Sequence, residues 1–527
     1  MIAFATLIER LTLTPGRLAK LALLQRFFAS EPDPDRGWAL AALTGELSFA
    51  AAKPALIRDL VETRTDPVLF RWSYDFVGDL AETASLIWPT PATTADPPKL
   101  AEIVETLRTQ PKAALPAILA GWLDACTADV RYAILKLITG GLRAGASARL
   151  AKTALAAHAT THGVAIAPDD IEEVWHGLTP PYESLFAWLE GRGPRPDPSG
   201  APTFRPPMLA HPLEPADIDA LDPAAYAAEW KWDGIRVQLV AGPGGRRVYS
   251  RGAEDISASF PDILAVLDFD AVLDGELLVM RGGAVAPFAD LQQRLNRKSA
   301  SARLQEQFPA WVRLYDILFE GPEDLRPLPF TGRRARLEAW HARHAPARTD
   351  LSETIRFRSI AELTMLRAGA RDAGIEGLML KRLDSPYLPG RPRGKWWKWK
   401  RDPLTIDAVL MYAQRGHGKR SSFYSDYTFG LWREDGELVP VGKAYSGFTD
   451  EELTRIDSWV RNHTVARFGP VREVSRGLVL EIEFDAAQKS TRHKSGVALR
   501  FPRVARLRWD KPAAEADQLT SLLARLP

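Results

Sequence analysis

From residue 1 to about 190, apolar positions recur every three to four residues, as in LAKLALLQRFF (18–28) and RYAILKLI (131–138). That period predicts amphipathic helices. Thr14-Pro15 is expected to precede the first helix, and Ala167-Pro168-Asp169-Asp170 to open a later one with acids in its first turn. The stretch PTPATTADPP (89–98) is too rich in proline for regular structure and is expected as a loop. GRGPRPDPSGAPTFRPP (191–207) reads as a linker, because the texture changes after it. Short apolar runs with period 2 then appear: EWKWDGIRVQLV, RRVYS, AVLDGELLVM, WVRLYDILF, GLMLKRL and KWWKWK. Helical pieces at 333–344 and 360–373 alternate with them, which predicts an α+β region with mostly antiparallel strands. From about residue 404 strands dominate (TIDAVLMYAQ, SDYTFGLWR, ELVPVGKAY, LVLEIEFDAAQ), as in a small β-barrel. The fold class is therefore multidomain: all-α, then α+β, then β. No fixed-period repeat is visible, which disfavours a solenoid.

The chain has 527 residues, 46% hydrophobic and 25% charged, which excludes a disordered polyelectrolyte for most of its length. No run of about 18 apolar residues predicts a membrane span. Glu9 and Arg10 interrupt the N-terminal apolar run before a signal-peptide core could form, so an intracellular, cytoplasmic location is expected. The single cysteine, Cys126, rules out an internal disulfide and a Cys-rich zinc site. Net charge is only +2, but the average hides local excesses. Residues 391–420 hold nine Lys/Arg against two Asp, and residues 489–511 hold eight against one. Five bases and no acid lie between Arg131 and Lys152. Such runs are commonly solvated faces; three in one chain point to a polyanionic partner.

Candidate chemistry starts at Glu229-Trp230-Lys231-Trp232-Asp233-Gly234-Ile235-Arg236. On a strand, Glu229, Lys231 and Asp233 share one face and Trp230 and Trp232 the other. Taken alone, this is either a surface strand with a solvated face or a lysine nucleophile held between carboxylates. A nucleophilic lysine must lose its proton well below its usual pKa of about 10.4, which desolvation or neighbouring cations achieve. Lys395-Trp396-Trp397-Lys398-Trp399-Lys400 supplies such cations: period 2 puts Lys398 and Lys400 on one face, with Trp397 and Trp399 behind. The same pattern also suits a basic edge strand. Glu276, in Asp274-Gly275-Glu276, and Glu376, in Glu376-Gly377, are isolated carboxylates that suit metal or ribose binding as well as plain solvation.

The ordered set Lys231–Arg236, Ser250-Arg251-Gly252, Asp274–Glu276, Tyr315-Asp316, Glu376–Lys381, Lys398–Lys400 and the final Arg500–Lys511 segment resembles the covalent nucleotidyltransferase superfamily. That superfamily comprises ATP-dependent DNA ligases, RNA ligases and mRNA capping enzymes. The match spans about 280 residues. Lys136–Gly145 is similar to part of the helical DNA-binding domain of larger ATP-dependent DNA ligases, and the arrangement looks like the three-domain bacterial type. The resemblance implies a helical DNA-binding domain over 1–190, a linker over 191–207, an adenylation domain over 208–402 and an OB-fold over 403–527.

It also implies roles. Lys231 would take AMP from ATP and pass it to the 5′-phosphate of nicked duplex DNA. Glu229 would read the adenine edge and Tyr315 stack on its face, where the family often has Phe. Arg236 and Arg251 would contact ribose or nick phosphate, and Arg251 DNA as well. Glu276 would accept from ribose or help bind metal, Glu376 would help hold Mg²⁺ (or Mn²⁺), and Lys398 and Lys400 would neutralise the α-phosphate. Arg393 would approach the nucleotide, although the register of Arg391-Pro392-Arg393 is open. Arg500, Arg508, Asp510 and Lys511 would close over ATP, with a hinge near Asp402-Pro403. The family commonly carries two acids before its last lysine; here Trp509 fills the first place. Arg143, Arg415, Lys419, Arg420, Lys489, Arg492 and Lys494 would contact DNA phosphates. A monomer is expected. An RNA ligase or capping enzyme, or a non-catalytic nucleic-acid scaffold, are the rival readings.

Overall fold

The computed structural model describes residues 1–527 apart from 90–95, 141, 143–144, 199, 296, 298, 371–374, 416–423, 446, 448, 492 and 527. Arg143, Lys419, Arg420 and Arg492, all expected to bind DNA, lie outside the described residues. The chain divides into two compact units, Met1–Lys400 and Arg401–Pro527. Among the described residues, no helix is long and apolar enough to cross a membrane.

The first unit opens with helices running from Ile2–Leu13 to Glu183–Leu189, packed around one core that includes Phe4, Phe28, Trp38, Ile134 and Phe186. The periodic segments fall where expected: 18–28 lies in Arg17–Ser30 and 131–138 in Ala128–Thr139. Thr14-Pro15 does not precede the first helix. A helix over Ile2–Leu13 already lies before it, and Thr14 is that helix's C-cap. The later start holds: Pro168 opens Pro168–Trp175, and Asp170 Oδ2 accepts from the Ala167 N–H at 2.8 Å. Helical packing also changes the meaning of the Arg131–Lys152 run. Arg131, Lys136 and Lys152 are buried: Arg131 donates to the Leu123, Trp88 and Pro89 carbonyls, and Lys136 and Lys152 pair with Asp79 and Glu172. The period that buries apolar residues turned these bases inward, where buried charges need partners. Sequence-local charge counting misses acids 20 to 57 residues away.

The segment after Leu189 is irregular, as its Pro and Gly content requires, but it is not a loose tether. Thr203, Phe204 and Met208 are buried, and Phe204 and Met208 share a core cluster with Val240, Tyr249, Tyr387 and Trp396.

Two sheets follow. The first carries the strands His211–Pro212, Trp396–Lys400, Gly377–Arg382, Tyr226–Lys231 and Thr354–Ile355, in that spatial order. The second has Gly245–Ser250, Ile235–Gly242, Ala271–Arg281, Ala310–Glu320 and Glu323–Asp324 in order. Most pairings are antiparallel, as expected. Each sheet turns one face to its own apolar core. Trp397, Trp399, Leu378 and Leu380 fill the first; Val237, Leu239, Leu273, Leu277 and Val312 fill the second. The polar alternate positions are left on the facing sides, which is how period-2 patterning makes a cleft between two sheets.

The second unit is strand-rich. Its main sheet orders Leu438–Ala444, Tyr424–Trp432, Leu404–Arg415, Val471–Val474 and Thr464–Phe468, and Val479–Phe484 joins Leu404–Arg415 to Arg503–Arg508. Among the described strands no pairing joins the two edges of this sheet. A helix over Asp450–Asn462, which the sequence reading missed, carries Ile456 and Val460 into the core.

Candidate active site

The cleft between the two sheets of the first unit is a cavity of about 350 Å³. The first sheet builds its wall in rows. Gly377 lies opposite both Lys231 and Lys400; Met379 lies opposite both Glu229 and Lys398; Lys381 lies opposite both Ala227 and Trp396. Period 2 places these rows on one face and the indoles of Trp397 and Trp399 on the other. Gly377 has φ 143°, a backbone state that disfavours a side chain, at the point where two lysines flank it.

The alternation stops at Lys231. The strand ends there, and residues 232–234 turn to start the next strand at Ile235. Asp233 is therefore not on the Glu229/Lys231 face of a strand. Trp230 and Trp232 do not simply back the wall; both reach the cavity, and the Arg313 guanidinium covers Trp232 at 4.2 Å. The turn needs Gly234: a Cβ there would lie 2.5 Å from the Leu277 carbonyl oxygen and 2.8 Å from Glu276 Cγ. The glycine thus lets the lysine-bearing turn close onto the strand that carries Glu276.

Lys231 Nζ pairs with Glu376, and Lys400 Nζ lies 3.8 Å from the same carboxylate oxygen. Lys231 thus has an acid as its ion-pair partner, with Lys400 at the same carboxylate and Lys398 close enough to feel its charge. Lys398 is pushed below the ordinary value, by burial first and then by Arg391, Lys231, Lys400 and Arg251. Glu276 faces this group across the cleft. Burial lifts its carboxyl to about 7; Lys231 and Arg236 oppose the rise, and Glu376 and Asp233 add to it.

Glu229 is buried, with both oxygens engaged: Oε1 accepts from Lys381 Nζ at 2.9 Å and Oε2 from Ser352 Oγ at 2.8 Å. Lys381 is 2% exposed and lies among the rings of Tyr315, Trp396 and Phe330, 4.5 to 5.1 Å from each. No role was assigned to it from the sequence. The only signal was its place at the end of Glu376–Lys381, an odd strand position counted from Gly377, which period 2 carries to the cleft.

Tyr315 lines the cavity because of a bulge. Asp274 pairs with Asp316 and Gly275 with Leu314, so Tyr315 is the extra residue. Bulges re-aim side chains in this way. Its neighbour Asp316 is fully buried and ion-paired with Arg333. Arg236 lines the cavity, but its terminal nitrogens donate to Asp274, Tyr387 and the Met208 carbonyl. Of the two arginines left open by the sequence, Arg391 lines the cavity, while the Arg393 side chain is 84% exposed, 3.8 Å from Asp217. Arg251 also lines the cavity.

The remaining candidates lie in the second unit. Arg508 pairs with Asp407 at 3.0 Å and with Asp510 at 2.9 Å, and Lys511 reaches Asp407 at 2.8 Å. Arg500 lies against the Phe501 ring. Within the basic run, Arg503 and Arg506 pair with acids on the facing strand, Glu483 and Glu481. Arg415, Lys489 and Lys494 are exposed. A second group of possible metal ligands, His158, His162 and Glu190, is blocked, because the Arg36 and Arg192 guanidinium groups donate to Glu190.

A family model described as ATP dependent DNA ligase domain matches residues 207–400, and one described as ATP dependent DNA ligase C terminal region matches residues 420–511. A probable DNA ligase of Koribacter versatilis is 38% identical over 336 aligned positions, covering 59% of this chain and 58% of that protein. A probable DNA ligase of Opitutus terrae is 31% identical over 629 positions, covering 98% of this chain and 61% of that protein. The chain thus spans about three-fifths of the length of these relatives. A solved structure described as Pmar-Lig_PreS3 superposes with a TM-score of 0.56 at 17% identity, covering 96% of this chain and 99% of its own, and so shares the fold.

Proposed function

The chain belongs to the ATP-dependent DNA ligase family, and we propose that it seals nicks in duplex DNA with ATP, through a lysyl-adenylate on Lys231. The observation that carries this reading is the row geometry of the cleft. One amine, Lys231, sits beside Glu376, with Lys398 and Lys400 at the neighbouring register positions and Glu276 opposite.

The reaction is three in-line displacements at phosphorus. Lys231 Nζ attacks the α-phosphorus of ATP; a P–N bond forms and pyrophosphate leaves with the breaking P–O bond. A 5′-phosphate oxygen of the nick then attacks the same phosphorus and restores the free amine. Last, the 3′-hydroxyl attacks the activated 5′-phosphorus and AMP leaves. Such transfers depend on positioning and charge neutralisation. Lys398 and Lys400 neutralise α-phosphate charge. The depressed basicity of Lys398 follows from burial among crowded cations, the condition that makes an arriving polyphosphate favourable. Lys381 and Ser352 hold the Glu229 carboxylate still at the base-binding end, and Tyr315 supplies the ring for stacking. Arg251 and Arg391 line the phosphate side.

Glu276 and Glu376 are near enough that one raises the pKa of the other, a donor pair that fits Mg²⁺ or Mn²⁺. Glu276 and Glu376 would hold that ion, which when bound would neutralise phosphate charge. The second unit is read as an OB-type platform for DNA, with Arg415, Lys489 and Lys494 as phosphate contacts. Arg500, Arg508 and Lys511 are proposed to bind phosphate as well, with Asp510 orienting the Arg508 guanidinium; for Arg508 and Lys511 this means exchanging Asp407 for phosphate oxygens.

The test is incubation of the full chain with α-labelled ATP and Mg²⁺, followed by nicked DNA. Acid-stable label on the wild type, absent from Lys231→Ala, with sealing of the nick, is expected. An unlabelled wild type, or a K231A variant that seals at the wild-type rate from ATP, refutes the reading.

A further inference from the structure

Tyr387 belongs to none of the motifs, yet it is 3% exposed and its hydroxyl reaches the wall of the cleft. Arg236 Nη2 donates to that hydroxyl at 2.8 Å and to Asp274 Oδ2 at 2.6 Å, and the hydroxyl donates to the same Asp274 oxygen. The other Asp274 oxygen accepts from Gln238 Nε2 at 3.1 Å. The tyrosine ring is held by the edge of Trp396 at 5.9 Å and by the Arg333 guanidinium at 5.5 Å.

This triad is joined to the chain segment that enters from the helical region. Arg236 Nη1 donates to the Met208 carbonyl. Gln238 clamps Arg205 twice, accepting from its N–H at 2.6 Å and donating to its carbonyl at 3.2 Å. Leu209 and Ala210, the next residues along, line the cavity. One half-buried guanidinium therefore touches the cleft on one side and the backbone of the connecting segment on the other.

We propose that Tyr387, acting with Asp274, is a positioning residue that fixes Arg236 as the joint between the nucleotide cleft and the 205–210 segment, so that occupancy of the cleft stiffens that segment. Arginine suits this role because its planar fork holds several acceptors at fixed angles. Tyr387 adds a second acceptor at Nη2 and braces the Asp274 oxygen beside it, while Met208 holds Nη1. A nucleotide that contacts Arg236 then restrains Met208, and ordering passes through hydrogen bonds already made.

The inference rests on the adenylation reading above. Tyr387→Phe removes only the hydroxyl. Wild type and Y387F are given ATP and Mg²⁺, and acid-stable labelling is timed while hydrogen exchange of a peptide spanning 202–210 is followed. Y387F is expected to label about tenfold more slowly at subsaturating ATP, the effect of a loss of about 1.4 kcal/mol. In wild type, ATP is expected to slow exchange over 205–210, and Y387F to lose that change. Tyr249→Phe is the control: it removes the 2.6 Å bond from Tyr249 to the Pro202 carbonyl at the far end of the segment, and labelling should stay within twofold of wild type. The proposal is overturned if Y387F labels at the wild-type rate, if Y249F slows labelling as much, or if the exchange change persists in Y387F. Should Y387F fold poorly, the wild type still decides: no ATP-dependent slowing over 205–210 overturns it. An unlabelled wild type instead refutes the adenylation reading itself.

Discussion

Lys381→Met keeps most of a buried side chain's volume and removes its charge. In the wild type, Lys381 Nζ lies 2.9 Å from Glu229 Oε1, and both side chains are nearly inaccessible at 2% and 3% exposure. At an effective dielectric near 20, attraction at that distance is about 6 kcal/mol, offset by the desolvation of both groups. Burial holds Lys381 below the ordinary lysine value despite the carboxylate beside it. In K381M, Glu229 retains only the Ser352 hydroxyl, and an unpaired buried charge destabilises by about 3–5 kcal/mol. Glu229→Gln strands the lysine in the same way. The double variant strands neither, so its loss should fall well below the sum of the singles. Urea unfolding followed by tryptophan fluorescence gives the cycle, with Trp396 4.9 Å from Lys381 Nζ as a local probe. The stranded carboxyl in K381M should have a raised pKa, so its stability is fuller at low pH and is lost as pH climbs through that value. The K381M deficit should thus be smaller at pH 5 than at pH 8. Additive losses within about 0.5 kcal/mol, or a deficit independent of pH, refute the reasoning.

The Glu276 carboxyl, raised from 4.5 to about 7, favours folding at low pH and disfavours it as pH rises across that window. Glu276→Gln removes the penalty, so wild type should lose about 2–3 kcal/mol relative to E276Q between pH 4.5 and pH 8; equal slopes reject the assignment. Gly234→Ala pushes a methyl against the Leu277 carbonyl, and a backbone shift costing about 1–3 kcal/mol should reduce adenylation by at least about tenfold. Wild-type labelling in G234A means the turn does not set the lysine. Arg391→Ala should slow labelling while Arg393→Ala stays within twofold; the reverse result restores the other register. DNA affinity should fall steeply between about 50 and 200 mM salt, and a flat response removes the phosphate-contact reading.

Much of the cleft was legible because period 2 acts locally. The alternation in KWWKWK decides that Lys398 and Lys400 share a face and that Trp397 and Trp399 anchor the other, whatever the strand pairs with. Trp396 was harder. It shares the lysine face, and it is buried there only because the second sheet covers it. The same limit explains Arg391 against Arg393. Both sit in an irregular stretch before the strand, where no period assigns a side.

Several outcomes depend on partners distant in sequence. Lys231 meets an acid 145 residues later, Glu229 a lysine 152 residues later, and Arg236 a tyrosine 151 residues later. Tyr315 enters the cleft through a one-residue slip between two strands, which the pattern of neither strand contains. The buried Arg131, Lys136 and Lys152 look like a cationic surface until helix packing supplies their acceptors. By itself, then, the sequence determined the order of helical, mixed and strand-rich regions, the apolar faces, and which residues carry reactive groups, because these follow from spacing and side-chain chemistry. Tertiary structure alone decided which charges neutralise each other and which residues line the cavity. Electrostatics and burial act through space, and the chain brings those groups together only when the two sheets close on one another.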